Sequence, residues 1–595
     1  MGHYRSNVRD LEFNLFEVLR TQEHMGAGAF ADMDESSARA ILQEANRYAV
    51  SLFADSFVEG DRIPPRLEDG EVRIPAAIKR SLDGYFDGEW HRLNLPERLG
   101  GFGATRSLGW AVTSLFLGAN PVIVGYTCAP TWAGLIDPFV TEEQRSRYLV
   151  PMVERRWGAT MVLTEADAGS DVGAARTKAV HSDDGSWHIS GVKRFITNGE
   201  FDWPANIVHL VLARPEGAAA GTEGLSLFLV PKYWVESDGS LGARNGVSAT
   251  RLEDKMGARA SATCELTFGD RAPARGVLVG ETHDGMHQMF RVINYARMLF
   301  GAKAIETLST GYLNALDYAK TRIQGPDLAQ ALDPSAVRVP IIRHPDVRRM
   351  LLNQKAHAEG MRALVLYAGA IEDRMALEPD NRDLARRKGL LLPLIKGYGS
   401  EKSYELLAQS MQVLGGSGYM RDYPLEQYLR DVKVDTIWEG TTGIQALDLV
   451  FRKIAADQAV ALGQLLEDIR VTVKGDGRLQ TSRGRLARAL DDVDAMLNAM
   501  VEFIGKSAYL VGLNATPFLF ALAELVVGWL LLQQAEVAMQ ALDQPTTTQA
   551  DHAFYEGKLA ATEWFSRTVL PGLSARRAVV DNTALDPMEL SDLAF

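Results

Sequence analysis

Cysteine is nearly absent from this chain. Only Cys128 and Cys264 occur in 595 residues, which excludes a disulfide framework and leaves no cysteine-based metal spacing. That scarcity fits a reducing compartment. Positive charge is also in deficit, with 63 Lys and Arg against 76 Asp and Glu and a formal net charge of −13. A surface of that sign disfavours nucleic acid and anionic membranes, so an anionic ligand needs a local cluster of positive groups. The N-terminal MGHYRSNVRDLEFNLFEVL has no apolar signal core and mixes acids with bases. Neither a secretory nor a transit peptide is expected, and the cytoplasm is the expected location. The longest apolar run, PFLFALAELVVGWLLLQQ, contains Glu524 and stops at Gln533, short of the ~20 residues a membrane helix needs. It reads as a buried helix, with no membrane span.

Length and patterning are what remain. A chain of 595 residues is too long for one core, so several domains are expected. Residues 1–159 read as a helical domain. In SSARAILQEANRYAVSLFADSF, Ala38, Ile41, Leu42, Ala45, Ala49 and Leu52 recur at helical spacing behind a cap at Ser36 or Ser37. The glycine-rich ERLGGFGATRS lacks a preceding strand and dinucleotide-loop spacing, and reads as a turn. Residues 160–282 read as a β domain. GSWHISGVKRFITNG alternates between the turn signals Asp184-Gly185 and Asn198-Gly199, and NIVHLVLARP, GLSLFLVPK and ATCELTFGD follow as short aliphatic runs. Residues 283–455 return to helices. YARMLFGAKAIETLSTGYLNALDYAKTR reads as one long helix, and EKSYELLAQSMQVLGG puts Tyr404, Leu407, Met411 and Leu414 on one stripe that Gly415 and Gly416 end. Residues 456–595 read as an additional helical domain of three or four helices, broken at KGDGRLQTSRGR. The fold class is mainly α with a central β domain.

Four stretches carry chemistry. VLTEADAGSDV packs small residues beside Thr164 and Ser170, where backbone and hydroxyls can meet a polar ring edge or a phosphate; a plain Asx or ST turn is the structural alternative. In RFITNG, Phe195 and Thr197 are expected on one face of a strand, an aromatic surface with a hydroxyl two positions on, or else an ordinary hairpin edge. QVLGGSGY places Gln412 before three glycines, which helix termination alone also explains. VDTIWEGTTGIQ sets Glu439 between Trp438 and Gly440. An aromatic neighbour raises a carboxylate's basicity by excluding water, and a glycine admits a ligand; a packed or surface glutamate is the alternative.

In this order, the four motifs resemble those of the acyl-CoA dehydrogenase family, over about residues 60–455. The N-terminal segment and the extension after 455 are similar to a bacterial branch that includes broad-specificity linear acyl-CoA dehydrogenases of mycobacterial type and 3-methylmercaptopropionyl-CoA dehydrogenases. The resemblance implies a helical N-domain, a β-barrel or sandwich middle domain and a four-helix-bundle C-domain. It also implies FAD, an acyl-CoA substrate, electron-transfer flavoprotein as electron acceptor and a homo-oligomer, a dimer first. Leu163 and Thr164 then contact the flavin pyrimidine edge, Thr197 hydrogen-bonds near N5, and Phe195 stands where many relatives have Trp. Ser170 lies between cofactor phosphates and CoA. Arg322, Gln412, Gly415 and Gly416 meet the cofactor from the neighbouring subunit, with Thr441 beside the base. Asn294 and Arg297 contact CoA, Gly440 admits the thioester, and Glu439 removes the α-proton while a hydride passes from the β-carbon to the flavin. Gly443 departs from the Gln of short-chain relatives, and Pro215 from a CoA-contacting Ser. An insertion after Arg322 brings Arg338, Arg343, Arg348 and Arg349 together, as candidates for the CoA phosphate or as a solvated face. An oxygen-using acyl-CoA oxidase and a non-catalytic acyl-CoA-binding scaffold are the alternative functions.

Overall fold

The computed structural model describes residues 2–545 and 547–595. Two compact units divide the chain. The first gathers residues up to Tyr4, Glu44–Thr105 and Ala119–Ala296; the second gathers Arg5–Gln43, Arg106–Gly118 and Arg297–Phe595.

The first unit is built on one mixed sheet. Its strands run in the spatial order Val247–Leu252, Cys264–Phe268, Trp187–Ile196, Ala274–Leu278, Ser226–Pro231, Ile207–Pro215, Gly158–Val162, and Lys178–His181 pairs with both Trp187–Ile196 and Ile207–Pro215. Most pairs are antiparallel, while Gly158–Val162 and Lys178–His181 run parallel to Ile207–Pro215. Ile207–Pro215 and Ser226–Pro231 are buried almost throughout, which is why they read as unbroken apolar runs without alternation. The turns Asp184-Gly185 and Asn198-Gly199 fall where the dipeptides predict them. ERLGGFGATRS opens on a 3-10 turn at Glu97–Leu99 and is irregular from there to the helix that starts at Arg106, with Gly100 and Gly103 at φ +76° and +62°, as a turn requires.

The second unit is helical. The 37-residue helix Gly285–Thr321 begins ahead of the predicted stretch and supplies the second unit from Arg297 onward. Helix Gly399–Leu414 buries Ser403, Leu406, Leu407, Ser410, Val413 and Leu414. The buried stripe is therefore offset from the expected one, because two serines lie on it and apolar spacing cannot register them. At the helix that opens at Glu35, Asp34 does the capping, since its carboxylate accepts the Ser37 N–H at 2.7 Å; Ser36 instead donates to Asp34. A carboxylate at the N-terminus also suits the helix dipole.

Past residue 456 the helices Val460–Val473, Gln480–Lys506, Ala508–Leu542, Gln549–Thr568 and Gly572–Asp581 follow, more than the three or four expected. The second half of KGDGRLQTSRGR starts a helix instead of breaking one. The apolar run belongs to a 35-residue helix that continues to Leu542 and is long and apolar enough to cross a membrane; 83% of its most apolar window is buried inside the protein. Glu524 in that helix pairs with Arg576 at 2.8 Å. A buried polar network also ties N-terminal residues to this unit. Arg362 pairs with Asp10 at 2.6 Å and with Glu306 at 2.6 Å, and Lys558 pairs with Asp10 and, at 2.9 Å, with Glu359.

Candidate active site

In the second unit, helix Leu425–Lys433 runs into the tight turn Val434–Thr436, and helix Thr442–Leu447 starts behind the Thr441 hydroxyl, which accepts the Ile444 N–H. Between them the backbone turns over at two left-handed residues, Glu439 at φ +54° and Gly440 at φ +90°. A non-glycine residue in that region costs on the order of 1 kcal/mol and persists only where its surroundings hold it. Buried side chains supply the restraint. Gln445 Nε2 donates to the Glu439 carbonyl at 3.0 Å, and Lys396 Nζ donates to the Gly440 carbonyl at 2.7 Å. A Cβ on Gly440 would lie 2.9 Å from Gln445 Nε2.

Charge is dense around this turn. Arg297, almost fully buried, donates to Asp448 at 2.8 Å. Lys303 donates to both oxygens of Asp435 at 2.8 Å. Trp438 packs against Phe300 with ring centroids 4.2 Å apart, and Lys303 Nζ lies 5.2 Å from the Trp438 ring. Burial pushes the Glu439 carboxyl up to about 7, against the pull of Lys396 and Arg297. Burial likewise lowers the Lys396 ammonium to about 8, against the attraction of Asp435 and Glu439. Asp435 is pushed up to about 6, burial outweighing its pairing with Lys303. A carboxylate with its proton affinity raised to near neutrality is what a general base at physiological pH needs.

Ile437, next to Trp438, is 55% exposed. Arg297, expected at the CoA, pairs with Asp448 through one guanidinium nitrogen, and its charge also bears on Glu439. Sequence reasoning missed Lys396, Gln445 and the Lys303–Asp435 pair. A lysine inside the apolar LLLPLIKGYG was the available signal, since an unpartnered charge has no place in such a run. Two buried atoms, Arg297 Nε and Gln445 Oε1, have no hydrogen-bond partner among the described residues, as a site awaiting a polar ligand leaves them.

The other expected residues of this unit are on its surface. Arg322, Gln412, Gly415 and Gly416 are exposed, and Thr441 is half-buried. Gly415 has φ +58°, and nothing lies within 4 Å of where a Cβ would stand on Gly415, Gly416 or Gly443. Of the clustered arginines, Arg349 pairs with Asp346, Arg343 faces Asp327 and Arg348 donates to the Ile342 carbonyl.

In the first unit, Leu163 and Thr164 are half-buried and follow strand Gly158–Val162. Buried Lys193 donates to the Leu163 carbonyl at 2.8 Å and Arg194 N–H to the Thr164 carbonyl at 2.9 Å. Glu165 anchors the loop by accepting from Arg176 N–H, Thr177 N–H and the Thr177 hydroxyl. Burial would raise that carboxyl, but Lys193 and these bonds together hold it down at about 2. Gly169 and Ser170 are exposed. The expectation that Phe195 and Thr197 share a strand face does not hold. Phe195 sits at φ +60°, the pairing with Cys264–Phe268 slips there, and the strand ends at Ile196. Such a bulge re-aims side chains: Phe195 is 56% exposed with the Arg194 guanidinium 4.8 Å from its ring centroid, and Thr197 lies in the following turn. Asn294 is half-buried, and its Oδ1 is buried without a partner among the described residues. An open aromatic, half-open hydroxyls and an exposed glycine-serine loop fit a flat heteroaromatic ligand with polar edges and phosphates.

The chain matches the family models described as acyl-CoA dehydrogenase middle domain over residues 160–271, acyl-CoA dehydrogenase C-terminal domain over 283–455, and acetyl-CoA dehydrogenase C-terminal like over 465–591. It belongs to the acyl-CoA dehydrogenase family, whose members are FAD-dependent, and is an oxidoreductase of that class. It is 49% identical to the broad-specificity linear acyl-CoA dehydrogenase FadE5 of Mycobacterium tuberculosis, over all of both chains. It is 34% identical to the 3-methylmercaptopropionyl-CoA dehydrogenase of Ruegeria pomeroyi, over 98% of each. Among solved structures, an acyl-CoA dehydrogenase from Bacillus anthracis complexed with FAD shares the fold at a TM-score of 0.71 and 21% identity, covering 94% of this chain and 90% of that one.

Proposed function

We propose that this enzyme carries out the α,β-dehydrogenation of linear acyl-CoA thioesters to trans-2-enoyl-CoA, the first step of fatty acid β-oxidation, with Glu439 as the acceptor of the α-proton. The observation that carries the reading is Glu439 itself, a carboxylate locked in a left-handed turn and raised to about 7 by burial. The identity to FadE5 over the whole chain supports linear acyl-CoA substrates. The more distant 3-methylmercaptopropionyl-CoA dehydrogenase keeps a sulfur-containing acyl group on the list to be tried.

FAD, when bound, supplies the acceptor for the hydride from the substrate β-carbon. Leu163, Thr164, Phe195, Thr197 and Ser170 are the residues proposed to hold it, with Thr441 beside the base and Arg322, Gln412, Gly415 and Gly416 contributing from a second copy in a homodimer. The Glu439 backbone N–H is proposed to donate to the thioester carbonyl, where negative charge grows as the α-proton leaves. Glu439 then takes that proton on its side chain. An acyl chain filling the site displaces water from the carboxylate and strengthens its grip on the proton. Ser170, Asn294 and Gly440 complete the proposed substrate contacts. The four-part division at residues 159, 282 and 455, a cytoplasmic location and electron-transfer flavoprotein as electron acceptor belong to the same reading.

The test is anaerobic addition of acyl-CoAs of graded chain length, with a sulfur-containing one included, to the flavin-loaded protein. Bleaching of the yellow absorbance is expected. Hydrogen peroxide formed in air marks an oxidase instead, and an unchanged spectrum across the panel marks a scaffold.

A further inference from the structure

Lys396 lies in a widened helical turn, Leu394–Tyr398, that follows Pro393 and separates helices Arg382–Pro393 and Gly399–Leu414. Such π-type turns break the regular carbonyl ladder and recur at functional sites. Here the Ser400 hydroxyl satisfies the Lys396 carbonyl at 2.5 Å. The lysine side chain has no solvent-exposed surface. Among the described residues its ammonium donates to the Gly440 carbonyl at 2.7 Å, so its positive charge stands directly beneath the turn that carries Glu439. Asp435 and Glu439 face it from the segment ahead of helix Thr442–Leu447, Arg297 from helix Gly285–Thr321, and Glu401 from helix Gly399–Leu414; Lys303 already pairs with Asp435. A buried ammonium needs a compensating anion, and Glu439 lacks a direct ion-pair partner among the described residues.

We propose that Lys396 is the positioning residue of the proton-accepting carboxylate: its ammonium pins the left-handed 439–440 turn and keeps Glu439 charged, hence able to accept a proton, when substrate excludes water. This rests on Glu439 being the base. It predicts a division of labour in which burial makes the carboxylate basic while Lys396 stops it from being neutral before substrate arrives. A neutral side chain of similar length at 396 removes the positive charge, and methionine removes the bond to the Gly440 carbonyl with it.

The test compares the parent with K396M, K396Q, K396R and E439Q as flavin-loaded proteins. Turnover with an acyl-CoA and an artificial electron acceptor is followed against pH, and the 439 carboxyl is titrated by difference infrared spectroscopy of each Glu439-containing form minus E439Q, which needs no turnover. In K396M the midpoint of the activating limb is expected to move alkaline by about one pH unit or more, so activity at pH 7 falls at least ~tenfold and recovers at higher pH. The infrared midpoint moves with it, and K396R, which keeps the charge, restores the parental midpoint. Should K396M lose its cooperative melt, K396Q carries the same expectation. Neutral variants whose infrared and kinetic midpoints match the parent, with any loss equal at every pH, overturn the role of Lys396. Full turnover by E439Q removes the base assignment itself and is read independently of the lysine variants.

Discussion

Replacing Glu439 by Gln removes a charge that the fold holds against its preference, and stability should register the change. The carboxyl titrates near 7 in the folded protein, about 2.5 pH units above its ordinary 4.5. Between those values the folded state binds more protons than the unfolded one, so this group's contribution to stability falls as pH rises from about 4.5 to about 7. At about 1.4 kcal/mol per pH unit, a full shift costs about 3.5 kcal/mol. The residue keeps part of its surface open, and solvent screening trims this to on the order of 1–3 kcal/mol. Glutamine carries no such cost. Urea unfolding of E439Q and parent should coincide near pH 4.5 and diverge above it, with the variant more stable by that amount at pH 8 while its turnover is lost. A gap that does not widen between pH 5 and pH 8, or that favours the parent at pH 8, refutes the reasoning.

Other perturbations give equally definite expectations. Gly440→Ala forces a Cβ against Gln445 Nε2 at φ +90°; it should cost about 1–2 kcal/mol in urea unfolding and lower kcat at least ~tenfold while flavin absorbance is retained. Lys558→Met takes one of two cations from Asp10, which keeps Arg362, and from Glu359, which keeps Lys355; it should cost about 3 kcal/mol, measured by denaturant unfolding at pH 7. Burial favours a neutral Asp10, yet Lys558 and Arg362 together hold its carboxyl below the ordinary carboxylate range. That pairing contributes stability above about pH 4, lost as pH falls further. Acid unfolding of Lys558→Met should therefore show a shallower limb below pH 4 than the parent.

Local signals in the chain exposed most of the architecture because they agree with tertiary structure. Asp184-Gly185 turns between the paired strands Lys178–His181 and Trp187–Ile196, Asn198-Gly199 follows the end of the second, and the aliphatic runs at Ile207–Pro215 and Ser226–Pro231 mark strands that bury both faces. The stripe on helix Gly399–Leu414 was misjudged because Ser403 and Ser410 are buried by hydrogen bonding, which periodicity cannot register. Asp34 is the cap in place of Ser36 or Ser37 because the helix starts at Glu35, which puts both serines inside its first turn. At the site, Glu439 was legible from its neighbours, whereas its left-handed backbone was not, since glutamate has no preference for that conformation. Phe195 was assigned to a continuous strand because a bulge at a non-glycine residue has no sequence signature. Lys396 and Gln445 reach the turn from 44 and 5 residues away in sequence, and single-sequence spacing could not unite them.

The account stands on Glu439 taking a proton from the α-carbon of an acyl-CoA. Anaerobic stopped-flow mixing of flavin-loaded parent and E439Q with a linear acyl-CoA measures that step before any electron acceptor intervenes. The parent should bleach rapidly, and E439Q should bind the thioester with its flavin intact yet bleach at least ~10²-fold more slowly. Equal bleaching rates in the two proteins would contradict the claim.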